Sequence, residues 1–245
     1  MKFNRFHKQS GASLMEVLVA MTISLVVTAS MIAMMSNTLG TTARIINMTK
    51  LQDDMRVAMQ MMTRDVRRSN FNAASQYCYA NNDCGTDIVT FNDVDGVAIE
   101  LADDIGFNDT NTCFFFAMDR EGTAVSTGDE LGGFRQVPKT NERGIEVGVI
   151  QMWTGGADDV LACGEDPETP GSKWVDITNP ESMDIFAFTV DDDLSYEETI
   201  LDNGTDTVTQ RIRKLRMDMQ GQLVLDNSVQ RHIVDVIDVR NDLLL

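Results

Sequence analysis

Gly11 and Glu16, five residues apart, are where this sequence could do chemistry. Gly11 has no side chain to crowd a scissile peptide bond, so a protease can approach the backbone there. Glu16 stands at the head of a stretch, Val17 to Ala43, with no Asp, Glu, Lys or Arg. That stretch has 27 residues, and a helix needs roughly 20 to cross a bilayer. A carboxylate at its edge lacks water and needs a partner, which marks it as functional. Four cysteines, Cys78, Cys84, Cys113 and Cys163, all follow the apolar stretch.

The residues before Gly11 include Lys2, Arg5 and Lys8 and no acid, a cytoplasmic flank by the positive-inside rule. A secretory signal has a shorter apolar core and an A-x-A-like cut site. A plain membrane anchor explains the length and charge of this segment, but not a glycine and a glutamate in register.

The run Gly11-Ala12-Ser13-Leu14-Met15-Glu16-Val17-Leu18-Val19-Ala20 resembles the class III signal of type IV prepilins and type II secretion pseudopilins. The resemblance implies that a prepilin peptidase cuts between Gly11 and Ala12 and methylates the new amine of Ala12. It makes Glu16 the fifth mature residue. Ala12 departs from the phenylalanine usual at that position. Physical reasoning agrees with the implied role of Glu16. A new α-amine on a neighbouring subunit is a natural partner for its carboxylate. One buried pair at a fixed offset would set the stagger of adjacent helices, as buried polar groups set register in coiled coils.

Removing the three leader cations takes the formal charge from −18 to −21. Such acidity argues against nucleic acid, which needs clustered cations, and against docking on anionic lipid. The cysteines fall on the side of the apolar segment opposite the basic leader, an oxidising compartment in a bacterial envelope. Four cysteines allow three pairings. Cys78–Cys84 with Cys113–Cys163 is favoured, because the first pair brackets the turn-like Asn81-Asn82-Asp83. Zinc is the alternative, but the spacing is not C-x-x-C and only His7 and His232 occur.

No proline interrupts residues 12 to 71. Leu51, Met55, Met59, Met62 and Val66 recur at steps of three and four, one face of a helix. A single long helix is expected, with a bend or break near Gly40 or Asn37-Thr38. The methionines between Met15 and Met62 read as adaptable apolar packing rather than a metal stripe. Beyond the helix the pattern is β-rich. Ile88–Phe91 and Val97–Leu101 form one expected hairpin, and Cys113–Met118, Ile145–Trp153 and Met183–Val190 are expected strands. Tyr196–Leu201 and Thr207–Met219 flank Asp202-Asn203-Gly204-Thr205, a second hairpin signal. Residues 119–144 and 154–181 read as loops.

Met61 to Phe71, with its arginines, resembles the helix end of PilW-type minor pilins and J-type pseudopilins, and Ile233 to Asn241 resembles the closing strand of PilW-type proteins. The sequence contains no G-x-S-x-G or phosphate-binding loop, so no enzyme and no cofactor are expected. Asp191-Asp192-Asp193 and Asp202 to Asp206 could take calcium, but neither fits an EF-hand loop.

The expected fold is α+β and pilin-like: a long N-terminal helix, transmembrane in its first half, packed on an antiparallel β-sheet globular domain. Residues 1–11 form the leader, 12–43 the transmembrane and filament-core helix, 44–71 an amphipathic continuation and 72–245 the head. The expected function is that of a PilW-type minor pilin acting in assembly or initiation of a type IV pilus, in a tip complex. Prepilin peptidase and other minor and major pilins would be its partners. It would sit in the inner membrane with its head periplasmic, then in the pilus. The alternatives are a J-type pseudopilin of type II secretion and a filament-displayed adhesin.

Overall fold

The structure, a computed structural model, describes residues 13–69, 105–117, 131–156, 161–202, 207–239 and 243–244. Contacts divide the chain at Met48/Thr49 into two units. Helix α1, Leu14–Val66, runs unbroken through both. The break expected near Gly40 is absent. A Cβ there would meet no atom within 4 Å, so nothing presses on the helix, and its ladder outweighs the propensity cost of one glycine.

In the first unit every described residue of α1 up to Asn47 is exposed. This part of the helix is long and apolar enough to cross a membrane. Its hydroxyls are bonded within the helix. Thr28 Oγ1 donates to the Ser24 carbonyl at 2.8 Å, Ser30 Oγ to Val26 at 2.9 Å and Thr42 Oγ1 to Thr38 at 2.8 Å. Such back-bonding lets polar residues enter an apolar medium without an orphan donor.

In the second unit α1 buries the stripe that its periodicity predicts: Leu51, Met55, Ala58, Met59, Met62 and Val66. Eleven antiparallel strands complete the unit's described residues. β1 (Ile105–Phe107), β2 (Cys113–Ala117), β3 (Leu131–Thr140), β4 (Glu146–Trp153) and β5 (Trp174–Asp176) lie in that order in one sheet. β6 (Met183–Asp191), β9 (Lys214–Leu223) and β10 (Asp226–Asp238) form a second, with β9 central. β7 (Tyr196–Asp202), β8 (Thr207–Ile212) and β11 (Leu243–Leu244) form a third. The helix packs on the second sheet. A Cβ at Gly221 of β9 would lie 3.0 Å from the Met55 sulfur, and Thr63 Oγ1 donates to Asp235 of β10 at 3.3 Å.

The run Cys113-Phe114-Phe115-Phe116 is apolar without alternation because both faces of β2 are covered. Phe114 and Phe116 stack with Phe134 of β3, and Phe114 reaches Phe188 of β6. On the opposite face Cys113, Phe115, Trp153 and Trp174 pack with Leu161. The first two sheets approach closely at Gly148, where a Cβ would collide with the Ile185 carbonyl. The Gly148 N–H donates instead to Asp184 at 2.7 Å.

Three expectations need correction. Residues 119–144 contain β3, a strand of ten residues. Pro138 is tolerated there because it lies beyond the β2 pairing, which ends at Arg135. On the other side it faces Gly148, whose N–H points away to Asp184, so that pair exchanges no ladder bonds. Residues 154–181 contain the short β5. Thr207–Met219 is two strands in different sheets, broken at the buried Arg213. The hairpin over Ile88–Leu101 lies outside the described residues.

Candidate functional site

Helix α1 is started by Ser13. Its carbonyl accepts the Glu16 and Val17 N–H groups at 3.0 and 3.2 Å, and its hydroxyl oxygen accepts the Glu16 N–H at 3.3 Å. Ser13-Leu14-Met15-Glu16 thus has the S-x-x-E spacing of a capped helix start. The cap was legible in the sequence as that spacing, yet it was absorbed into the cleavage motif. Glu16 lies in the first turn, where the helix dipole favours an acid. Its carboxylate is exposed, so it is held on a rigid helical turn and open to a partner. Gly11 and Ala12, the expected cleavage pair, lie outside the described residues.

In the head the structure brings Cys113 and Cys163 together as a disulfide that closes a separation of 50 residues, with Cα atoms 6.0 Å apart. Cys78 and Cys84 lie outside the described residues. The bridge fastens the 161–165 segment over β2 and β3, and Arg135 holds the same segment from below. Arg135 is 1% exposed, and its Nη1 donates to the Cys163 and Glu165 carbonyls at 2.8 and 2.6 Å. Its Nε donates to Gln151 Oε1 at 3.0 Å, and its guanidinium carbon lies 4.4 Å from the Trp174 ring centroid. Gln151 passes the network to Asp176 at 2.8 Å, and Asp176 binds Lys139 at 2.6 Å. A guanidinium this deep is held by the acceptors that meet its Nε and Nη1 donors and by an aromatic face. The sequence hid Arg135, since it lies in a stretch read as loop.

His232 Nε2 lies 2.8 Å from Asp218 Oδ1 on the exposed side of the second sheet. Among the described residues no cluster of His, Cys, Asp and Glu could hold a metal ion. Asp191-Asp192-Asp193 ends β6 and begins the turn to β7. Of the other acidic run, 203–206 lie outside the described residues. The described residues thus present a capped, apolar helix with one acid at its start and a head stapled by a disulfide.

A family model described as Prepilin peptidase-dependent protein B matches residues 44–239. No curated protein and no solved structure matches the chain. The matched region begins after the apolar stretch, so the match and the Gly11–Glu16 motif are separate signs of one origin. The match covers most of the chain, which therefore belongs to the prepilin peptidase-dependent protein B family.

Proposed function

We propose that this protein is a PilW-type minor pilin that acts in assembly or initiation of a type IV pilus, in a tip complex, and has no enzymatic activity. It is inserted in the inner membrane by the apolar part of α1, cut between Gly11 and Ala12, and N-methylated at Ala12. It then leaves the bilayer to pack among other pilins. The observation that carries this reading is Glu16 exposed on the first turn of a membrane-length helix, in a chain of a prepilin peptidase-dependent family. Transfer from lipid to filament exchanges one apolar environment for another, so the helix needs no hydrophobic driving force, only a register device. The α-amine of an adjacent subunit, opposite Glu16, supplies it. The internally bonded hydroxyls make the same helix tolerable in both settings.

Deletion of the gene should reduce the number of filaments per cell, counted by electron microscopy, while complementation restores it. In sheared filaments the protein should be scarce relative to the main subunit by quantitative mass spectrometry. Its presence as most of the filament mass would make it a major pilin. Normal filament numbers with lost surface attachment would favour an adhesin. Normal filaments with lost exoprotein secretion would favour a J-type pseudopilin.

A further inference from the structure

The C-terminal end of α1 carries Arg64, Arg67 and Arg68, three exposed cations within five residues of a chain whose formal charge is −18. Among the described residues Arg67 and Arg68 make no side-chain hydrogen bond or ion pair, and Arg64 pairs only with its neighbour Asp65 at 3.1 Å. Cations at this end of a helix complement its dipole. That accounts for their sign but not for what lies beside them.

Arg64 and Arg68 line a cleft of about 530 Å³ whose wall includes Phe116, Trp153 and Gly155. Trp153 is 6% exposed, and its buried indole Nε1–H has no acceptor among the described residues. An orphan donor in a cleft wall is costly until an acceptor arrives. A second cleft of about 510 Å³ is lined by Arg64, Arg67 and Arg68. Its acid, Asp235, already accepts a bond from Thr63. The two clefts share Arg64 and Arg68, so they flank one basic ridge. Each cleft also holds one acid, Asp65 in the first and Asp235 in the second, so the three guanidinium groups leave the ridge net positive, with the unpartnered Trp153 indole N–H in the wall of the first.

We propose that this ridge and its clefts are a docking surface for a carboxylate-bearing segment of a neighbouring filament subunit. Guanidinium forks match carboxylates bidentately, and the indole N–H would take one further carboxylate oxygen in the cleft. Charge complementarity selects the occupant, because an acidic segment meets attraction here and repulsion over most of the remaining surface. That the carrier is a filament subunit rests on the functional reading above. The carboxylate site itself does not.

The test uses the full-length processed protein in neutral-detergent micelles and fluorescein-labelled octaglutamate, with anisotropy as the readout. Octaglutamate should bind, and Arg67→Ala/Arg68→Ala should weaken it about tenfold, as expected for loss of two charge pairs at a partly exposed site. Arg56→Ala, an exposed arginine two turns upstream, should leave binding unchanged. In the wild type the Trp153 indole 15N–1H resonance should shift on addition of the peptide, which decides the matter if the double variant does not fold. Absent binding, binding insensitive to the double substitution, or an unmoved indole resonance would overturn the proposal. Tighter binding of glycerol phosphate than of octaglutamate would overturn it in favour of a phosphate or lipid-headgroup site. Each of these failures leaves cleavage at Gly11 and the family reading untouched.

Discussion

Glu16→Ala should insert in the membrane and be cut normally, yet its incorporation into filaments should fall about a hundredfold beside wild-type partners. The loss follows from the register role proposed for this acid. Without it the α-amine of the adjacent subunit is buried unpaired, which costs roughly 3–5 kcal/mol, and each 1.4 kcal/mol is a factor of ten. Glu16→Gln separates that role from helix capping. Both substitutions keep the Ser13 cap, which uses the Glu16 backbone N–H, but only glutamine also keeps the size and polarity of a side chain that could bond back at the helix start, while removing the charge. Both variants should therefore fail alike, measured as the ratio of variant to wild-type protein in sheared filaments against the same ratio in membranes. Normal incorporation of either would refute an ion pair at this position.

The second large effect belongs to the head. Replacing Cys113 and Cys163 together by alanine frees a loop with a sequence separation of 50. Chain entropy puts the cost on the order of 4 kcal/mol, a large share of the ~5–15 kcal/mol that holds a domain folded. For a unit of this size the melting midpoint should drop by about 10 °C. Trp174, whose indole N–H donates to the Ala162 carbonyl beside the bridge at 3.0 Å, makes intrinsic fluorescence the natural probe. A midpoint shift of under about 2 °C would show that Arg135 and the Trp174–Leu161 contacts hold the segment without the covalent link.

The helix was legible because its signals are local and redundant. An apolar run without a charge, an apolar stripe from Leu51 to Val66 and the absence of proline all point the same way, and Gly40 alone could not reverse them. The strands that announced themselves were those with uninterrupted apolar or β-branched residues, such as Cys113-Phe114-Phe115-Phe116 and Val147-Gly148-Val149-Ile150. β3 was hidden because Leu131-Gly132-Gly133-Phe134-Arg135-Gln136-Val137-Pro138 breaks every local rule for a strand. Its glycines make room for tertiary neighbours. A Cβ on Gly133 would press on Leu161 and Trp174, and one on Gly132 would collide with the Phe116 ring. Its arginine is satisfied by carbonyls about thirty residues away. No window along the chain contains those partners. At the N-terminal end, Glu16 and its apolar helix were visible in spacing alone, whereas the orphan indole of Trp153 and the clefts beside Arg64 and Arg68 exist only once β2, β3 and β4 are placed beside the helix.

Processing is the step on which the proposed filament entry would depend, because the proposed ion pair with Glu16 needs the free α-amine that cleavage would create. The direct measurement is N-terminal sequencing, with intact mass, of the protein taken from envelope fractions of wild-type cells and of cells lacking prepilin peptidase. A chain beginning at N-methylated Ala12 is expected in the first and an uncut chain retaining Gly11 in the second. An intact Met1 terminus in wild-type cells, or a cut near Thr28-Ala29-Ser30, would contradict it.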